Sequence, residues 1–286
     1  MNRYGLPIIS ALVLATGLFA QDPKVQLPQQ SPLCTIKQSV GVTDIGIAYS
    51  RPGVKGREIF GKMIPFGAVW RTGANSSTKL SFSTPVKLNG TEIPAGSYAL
   101  YTIPGESEWT IIVYKDTSLW GAYGYDQKND FARIKATPVK LAEPVETFTI
   151  DINDIRTESA TLNLIWEKTK VPVRLEFDTI SKTVAQLEET MAAQGEKTAG
   201  FYYQALDFCL SNNTALPKAL AWANQAAVQF PKVFWVIQKK AYIQAKLGDK
   251  TGALETAKIA AAAAKASGSD QKDFLKVNDE FVASLR

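Results

Sequence analysis

The chain has 286 residues, of which 45% are hydrophobic, 21% charged and 10% aromatic; this fits one large or two modest globular domains and excludes disordered and membrane-embedded classes. Its 32 Lys and Arg face 27 Asp and Glu, a surplus too mild and too scattered for a phosphate backbone, so no nucleic acid partner is expected. Histidine is absent, which excludes Ser-His-Asp and Cys-His catalysis, histidine zinc sites and imidazole-ligated haem; two cysteines cannot make a four-cysteine metal site either. No cofactor or metal is expected, and any reaction must run on Asp, Glu, Lys, Tyr, Ser or Arg.

Arg3 precedes an almost wholly apolar run from Leu6 to Phe19, and Ala20 offers a cleavage point before Gln21. The fifteen residues from Leu6 to Ala20 fall short of the ~20 that cross a bilayer as a helix. Residues 1–20 therefore read as a cleaved signal peptide, with an uncleaved anchor as the alternative. Leu18 is larger than the residue usual at such a site. Export to the periplasm or the outer cell surface follows, with nothing transmembrane after cleavage. The mature chain then carries 31 basic and 27 acidic residues, a net of +4. Export would permit a Cys34–Cys209 disulfide, although two separate buried thiols are the simpler reading. Residues 21–32, polar and with three prolines, read as a flexible tether.

From residue 33 to 178 the pattern is β-rich. Ile45, Ile47 and Tyr49 alternate with smaller residues, as do Leu80 and Phe82. The same period of two recurs at Phe148, Ile150 and Ile152, at Leu162, Leu164 and Trp166, and at Val173, Leu175 and Phe177. Asn89-Gly90 is the strongest hairpin signal, because a two-residue type I′ turn needs positive φ at both positions. Short strands with turns at this spacing predict an antiparallel β-sandwich or squat barrel.

Residues 181–286 change to helix-forming Ala, Gln, Glu, Leu and Lys. Ala219, Ala223 and Ala226 recur thirty-four positions later as Ala253, Ala257 and Ala260. That is the tetratricopeptide period, and small residues there let paired helices approach closely. Units at 200–233 and 234–267 follow, with flanking helices near 181–195 and 270–285. The expected class is thus α+β multidomain: the β module, then α-helical tetratricopeptide-like hairpins. Stacked hairpins suit a protein partner through residues 200–286, or they pack on the β module itself.

Four stretches carry a resemblance to a known family. They are YSRPGVKGREIFGKMIPFGAVWRTGANSSTKLSF (49–82), LNGTEIPAGSYALYTIPGESEWTIIVYKD (88–116), WGAYGYDQKNDFARIK (120–135) and LNLIWEKTKVPVRLEF (162–177). Residues 33–178 resemble the bacterial domain of unknown function 2911, whose members include chains with similar helical tails. The resemblance implies an architecture and export, and no reaction.

Two clusters are candidates for binding. Arg51, Arg57, Trp70, Arg71 and Asn75 bring three arginines, an amide and an indole into one turn-rich stretch. Guanidinium forks suit carboxylate, phosphate or sulfate, and Trp70 offers a face for a sugar ring or an arginine stack. The same arginines equally serve to bond loop carbonyls or to pair with an acid such as Glu58. The second cluster is Trp120, Tyr125, Asp126 and Asp130, suited to a calcium ion or a glycan. Here Asp126 also reads as an N-cap, and Asp130 with Arg133 as a surface pair.

The expectation from these residues is a non-catalytic envelope protein whose β domain binds an anionic or glycan-like ligand. Two alternatives stand beside it. One is a carboxylate-based hydrolase of envelope polysaccharide using two of Glu58, Glu108, Asp126, Asp130 and Glu167; the other is a structural envelope component.

Overall fold

The computed structural model describes residues 27–268 and 270–286. The expected signal peptide (1–20) and the start of the tether (21–26) lie outside the described residues. The strands are β1 (Leu33–Val40), β2 (Thr43–Ser50), β3 (Ala74–Phe82), β4 (Val86–Leu88), β5 (Thr91–Ile93), β6 (Gly96–Ile103), β7 (Trp109–Tyr114), β8 (Asp130–Ala136), β9 (Val139–Asn153) and β10 (Ser159–Phe177). They pair antiparallel in two sheets, a six-stranded one in the order β1-β2-β3-β6-β7-β8 and a four-stranded one in the order β5-β4-β10-β9. The chain is α+β, as expected.

Alternation puts Ile45, Ile47, Tyr49, Leu80 and Phe82 of the larger sheet against Phe148, Ile150, Leu162, Leu164 and Trp166 of the smaller one, in a single buried cluster. Fully burying an aliphatic or aromatic side chain of this kind contributes roughly 1.5–3 kcal/mol. Tyr49 also ties the layers by polar contacts: its hydroxyl donates to the Ile150 carbonyl at 3.2 Å and accepts from the Ile150 N–H at 2.8 Å.

β6 and β7 are buried on both faces. Leu100, Ile111 and Val113 face the main core, while Ala99, Tyr101, Ile112 and Tyr114 are covered on the other side by Leu119, Ala122 and Tyr125. Residues 115–129 thus lie over the outer face of the larger sheet. This two-sided burial explains why ALYTI and WTIIVY are nearly continuous apolar runs.

Asn89 (φ 43°) and Gly90 (φ 83°) form the tight turn between β4 and β5. β10 is one long strand rather than the two separate runs of the sequence pattern. Ala160, Leu162, Leu164 and Trp166 are buried at even positions, and Val171, Val173, Leu175 and Phe177 at odd ones. The phase changes around Glu167, which takes φ 52° and has register shifts on both sides against β9. A bulge there lets both halves face the core.

The helices are α1 (Thr179–Ala192), α2 (Ala199–Ser211), α3 (Leu216–Gln229), α4 (Phe234–Lys246), α5 (Lys250–Ala266) and α6 (Lys272–Ser284). Ala219, Ala223 and Ala226 on α3 and Ala253, Ala257 and Ala260 on α5 are all fully buried, so the thirty-four-residue recurrence marks the helix contacts. The first turn of α1 meets the β module. Glu158 Oε1 accepts from the Ile180 N–H at 3.0 Å, and Thr179 packs against Gly41 so closely that a Cβ at Gly41 would lie 2.0 Å from Thr179 Oγ1. Cys34 and Cys209 are free thiols. Burial pushes the Cys209 thiol up to about 11, which leaves it protonated and inert near neutrality. Among the described residues no helix is long and apolar enough to cross a membrane.

Candidate anion-binding pocket

Between β2 and β3 the chain crosses one end of the two sheets as a turn-rich segment, residues 51–73. Its apolar residues Ile59 and Ile64 are buried and anchor it to the core. Trp70 then joins an aromatic cluster: it stacks on Trp166 (centroids 5.8 Å apart, 18° between planes) and meets Phe60, Trp109 and Phe148 edge-on. Its indole N–H donates to the Gly73 carbonyl at 3.1 Å. Only 8% of Trp70 is exposed, so it forms the floor of the site and is no free stacking face.

Above that floor lies a pocket of about 390 Å³ with Lys55, Arg57, Arg71, Trp70 and Trp166 in its walls, and no Asp or Glu among its lining residues. Glu146 stands beside one lining residue, its Oε1 accepting from the backbone N–H of Lys55 at 2.9 Å. No charged side-chain nitrogen of Arg51, Lys55, Arg57 or Arg71 forms an ion pair with a carboxylate within 4.0 Å among the described residues. Three cations without an ion-pair partner thus line this one pocket, whereas Lys87, Arg133, Lys135 and Arg174 are each paired.

The arginines have different occupations. Arg51 is committed to β9: Nε donates to the Phe148 carbonyl at 3.0 Å and Nη2 to Thr149 Oγ1 at 2.8 Å. Arg57 closes its own turn, with Nε on the Val54 carbonyl at 2.9 Å and Nη2 on the Gly53 carbonyl at 2.6 Å. It remains exposed and keeps Nη1 unused among the described residues. Arg71 differs from both: its Nε is buried and bonded to nothing. An unpaired buried donor on a cation costs about 1–3 kcal/mol or more. Arg71 also stands among the residues that line the pocket.

The backbone around the pocket is held in uncommon conformations. Lys55 (φ 50°) with Gly56 (φ 70°), Thr72 (φ 56°) and Asn75 (φ 58°) all have positive φ. For a β-branched residue such as Thr72 this is a true outlier, and each such residue stores of order 1–3 kcal/mol. Thr72 is held by Thr102 Oγ1 at 3.1 Å and by Thr78, whose hydroxyl donates to the Thr72 carbonyl at 2.5 Å. Asn75 Nδ2 donates to the Ser31 carbonyl at 3.3 Å and to Ser50 Oγ at 3.2 Å. It fastens the chain entering β1 rather than facing the pocket.

The second cluster adjoins the first through one contact. Gly121 (φ 66°) lies against Arg71, such that a Cβ there would be 2.7 Å from Arg71 Nη1. Trp120 bridges to Ser76 beside Asn75 and is 61% exposed. Tyr125 and the two acids face elsewhere. The Tyr125 hydroxyl donates to Asp130, and Arg133 donates to Asp130 at 2.6 Å and to the Tyr125 oxygen at 2.8 Å. Burial, then this bond to a carboxylate, pushes the Tyr125 phenol up to about 12. Asp126 caps a short 3₁₀ turn (Gln127–Asn129), accepting from the Lys128 N–H at 3.1 Å. Both carboxylates are thus occupied by the chain itself, and no group of three metal-ligating side chains gathers among the described residues.

Lys55, Tyr123 and the pocket-floor Trp166 were not singled out as site residues by sequence reasoning. The pair Lys55-Gly56 inside Val54–Arg57 is the one local signal for a turn that lifts a cation over the floor.

Fold and pocket together define a two-layer β domain with a cationic cavity at one end and a helical region attached. The family described as Protein of unknown function (DUF2911) matches residues 31–175, just over half of the chain, and the chain belongs to that family. No curated protein and no solved structure gives a match.

Proposed function

We propose that the chain is an exported, non-catalytic binding protein of the cell envelope, and that the cavity above Trp70 and Trp166 takes an anionic group. The observation that carries this reading is Arg71, which lines the pocket with Lys55 and Arg57, has no ion-pair partner among the described residues and has its Nε buried and unbonded. A planar guanidinium fork suits the oxygens of a carboxylate, sulfate or phosphate. The apolar run from Leu6 to Phe19 supports export, and the thirty-four-residue recurrence of buried alanines supports a tetratricopeptide-like tail able to contact a partner.

Because two indoles line the pocket, tryptophan fluorescence reads its occupancy. Titration with sodium sulfate at fixed ionic strength should give a saturable change that Arg71→Gln abolishes and Arg51→Gln leaves in place. A response that is linear in sulfate, or equal in the Arg71 variant, would remove the pocket from consideration.

A second reading, carboxylate-based glycoside hydrolysis, rests on a different cavity of about 450 Å³ that Glu106 and Glu167 line with Phe60, Phe66 and Trp109. Of the acids named for that role besides Glu167, Glu108 pairs with Lys135 at 2.6 Å and Asp130 with Arg133. Turnover of an envelope polysaccharide that is lost in Glu167→Gln would favour this reading.

A further inference from the structure

We infer that the ligand is an acidic polysaccharide, with a sugar ring carried on Trp120 and Tyr123 while its acidic substituent enters the pocket at Arg71; this rests on the pocket reading above. Trp120 is 61% and Tyr123 79% exposed, on one loop of a module whose other tryptophans in the pocket region are buried. Single exposed apolar residues are ordinary, but two aromatic side chains on one fastened loop, with Arg71 against the glycine between them, form a surface suited to a ring with an acidic substituent.

The loop is fastened at several points. Lys79 Nζ donates to the Thr117 carbonyl, Ser77 Oγ to the Leu119 carbonyl at 3.3 Å, and Tyr101 Oη to the Gly121 carbonyl at 2.9 Å. At its far end the Asp126 N–H and Asn129 Nδ2 both donate to Tyr114 Oη, at 3.2 and 3.3 Å. The backbone that carries Trp120 and Tyr123 is therefore ordered before any ligand arrives, which lowers the entropic cost of binding. Gly121, between them, touches Arg71.

The chemistry of this juxtaposition is selective. Aromatic faces pack against the C–H face of a sugar and offer nothing to a bare anion. The cations Arg71, Arg57 and Lys55 attract carboxylate or sulfate and offer little to a neutral glycan. A polymer that repeats a sugar ring and an acid at short spacing satisfies both at once.

The test is affinity electrophoresis of the full chain in gels containing polygalacturonate, dextran or polyglutamate, beside the sulfate titration. The expected result is retardation by polygalacturonate well above that by dextran or polyglutamate. The double substitution Trp120→Ala, Tyr123→Ala should weaken that retardation about tenfold, the scale of one stacked aromatic contact, while leaving the sulfate response intact. Trp120→Phe should restore part of it. Arg71→Gln should lose both responses. If sulfate binds and polygalacturonate does not, or if the double variant binds polygalacturonate like the parent, the aromatic surface has no such role and the pocket reading survives alone. Equal retardation by polyglutamate would reduce the contact to charge and overturn the inference. Absence of both responses would overturn the pocket as well.

Discussion

Arg71 occupies the space that a side chain at residue 121 would need, since a Cβ on Gly121 would lie 2.7 Å from Arg71 Nη1. Gly121 also holds φ 66°, so alanine there adds backbone strain to a collision. Gly121→Ala should cost about 1–2 kcal/mol of stability and weaken sulfate binding by displacing the guanidinium. Urea unfolding and the fluorescence titration check the two effects separately. Loss of stability with unchanged sulfate binding would show that the guanidinium reaches its ligand from another position.

Asn89 does more than turn the chain. Its Nδ2 donates to the Lys135 carbonyl on β8 at 2.8 Å, and its Oδ1 accepts from the Arg174 N–H on β10 at 2.7 Å, so one amide spans both sheets. Asn89→Gly keeps the positive φ and should cost about 1–3 kcal/mol for the lost bonds. Asn89→Ala should cost roughly 1 kcal/mol more, because it adds strain at φ 43°. Denaturant midpoints of the two variants decide the order.

At Glu167 the relief of backbone strain offsets the entropic cost of glycine. With φ 52° inside a strand, Glu167→Gly relieves strain and should change stability by no more than about 1 kcal/mol in either direction. Glu167→Val places a β-branched residue at positive φ and should destabilise by about 2 kcal/mol. Equal effects of the two variants in thermal unfolding would show that the bulge relaxes freely.

Alkaline pH should weaken the β module. The Tyr49 phenol is pushed from 10.0 up to about 12 by burial, and the Tyr125 phenol likewise by burial and its bond to Asp130. Below about pH 10 both phenols are protonated in the folded and unfolded chain alike, so their contribution is fully present. Between about 10 and 12 the unfolded chain releases protons that the folded one keeps, and stability falls as pH rises. Urea midpoints should therefore drop through this range, with a shallower slope in Tyr125→Phe. A parent protein whose midpoint is flat across that range would contradict the assignment.

The strands were legible wherever one face meets the core. Ile45, Ile47 and Tyr49, and Phe148, Ile150 and Ile152, alternate in sequence and are buried. Asn89-Gly90 announced its turn. The continuity of β10 was hidden because Glu167 shifts the period of two midway, and no local rule marks a bulge at a glutamate. The binding residues separated for a related reason. Arg51, Arg57 and Arg71 look alike in sequence, yet Arg51 meets β9 about a hundred residues on, Arg57 bonds its own turn, and Arg71 is left with a free Nε. Which guanidinium is spent depends on partners that only the folded chain supplies.

The side-chain Nε–H resonance of Arg71, assigned in a ¹⁵N spectrum by its loss in Arg71→Gln, reports on whether its guanidinium meets a ligand. Added sulfate should shift that resonance saturably, leaving the Arg51 resonance in place. An Arg71 signal that stays fixed while sulfate rises through the millimolar range would mean that the pocket does not take the anion its charges were read to attract.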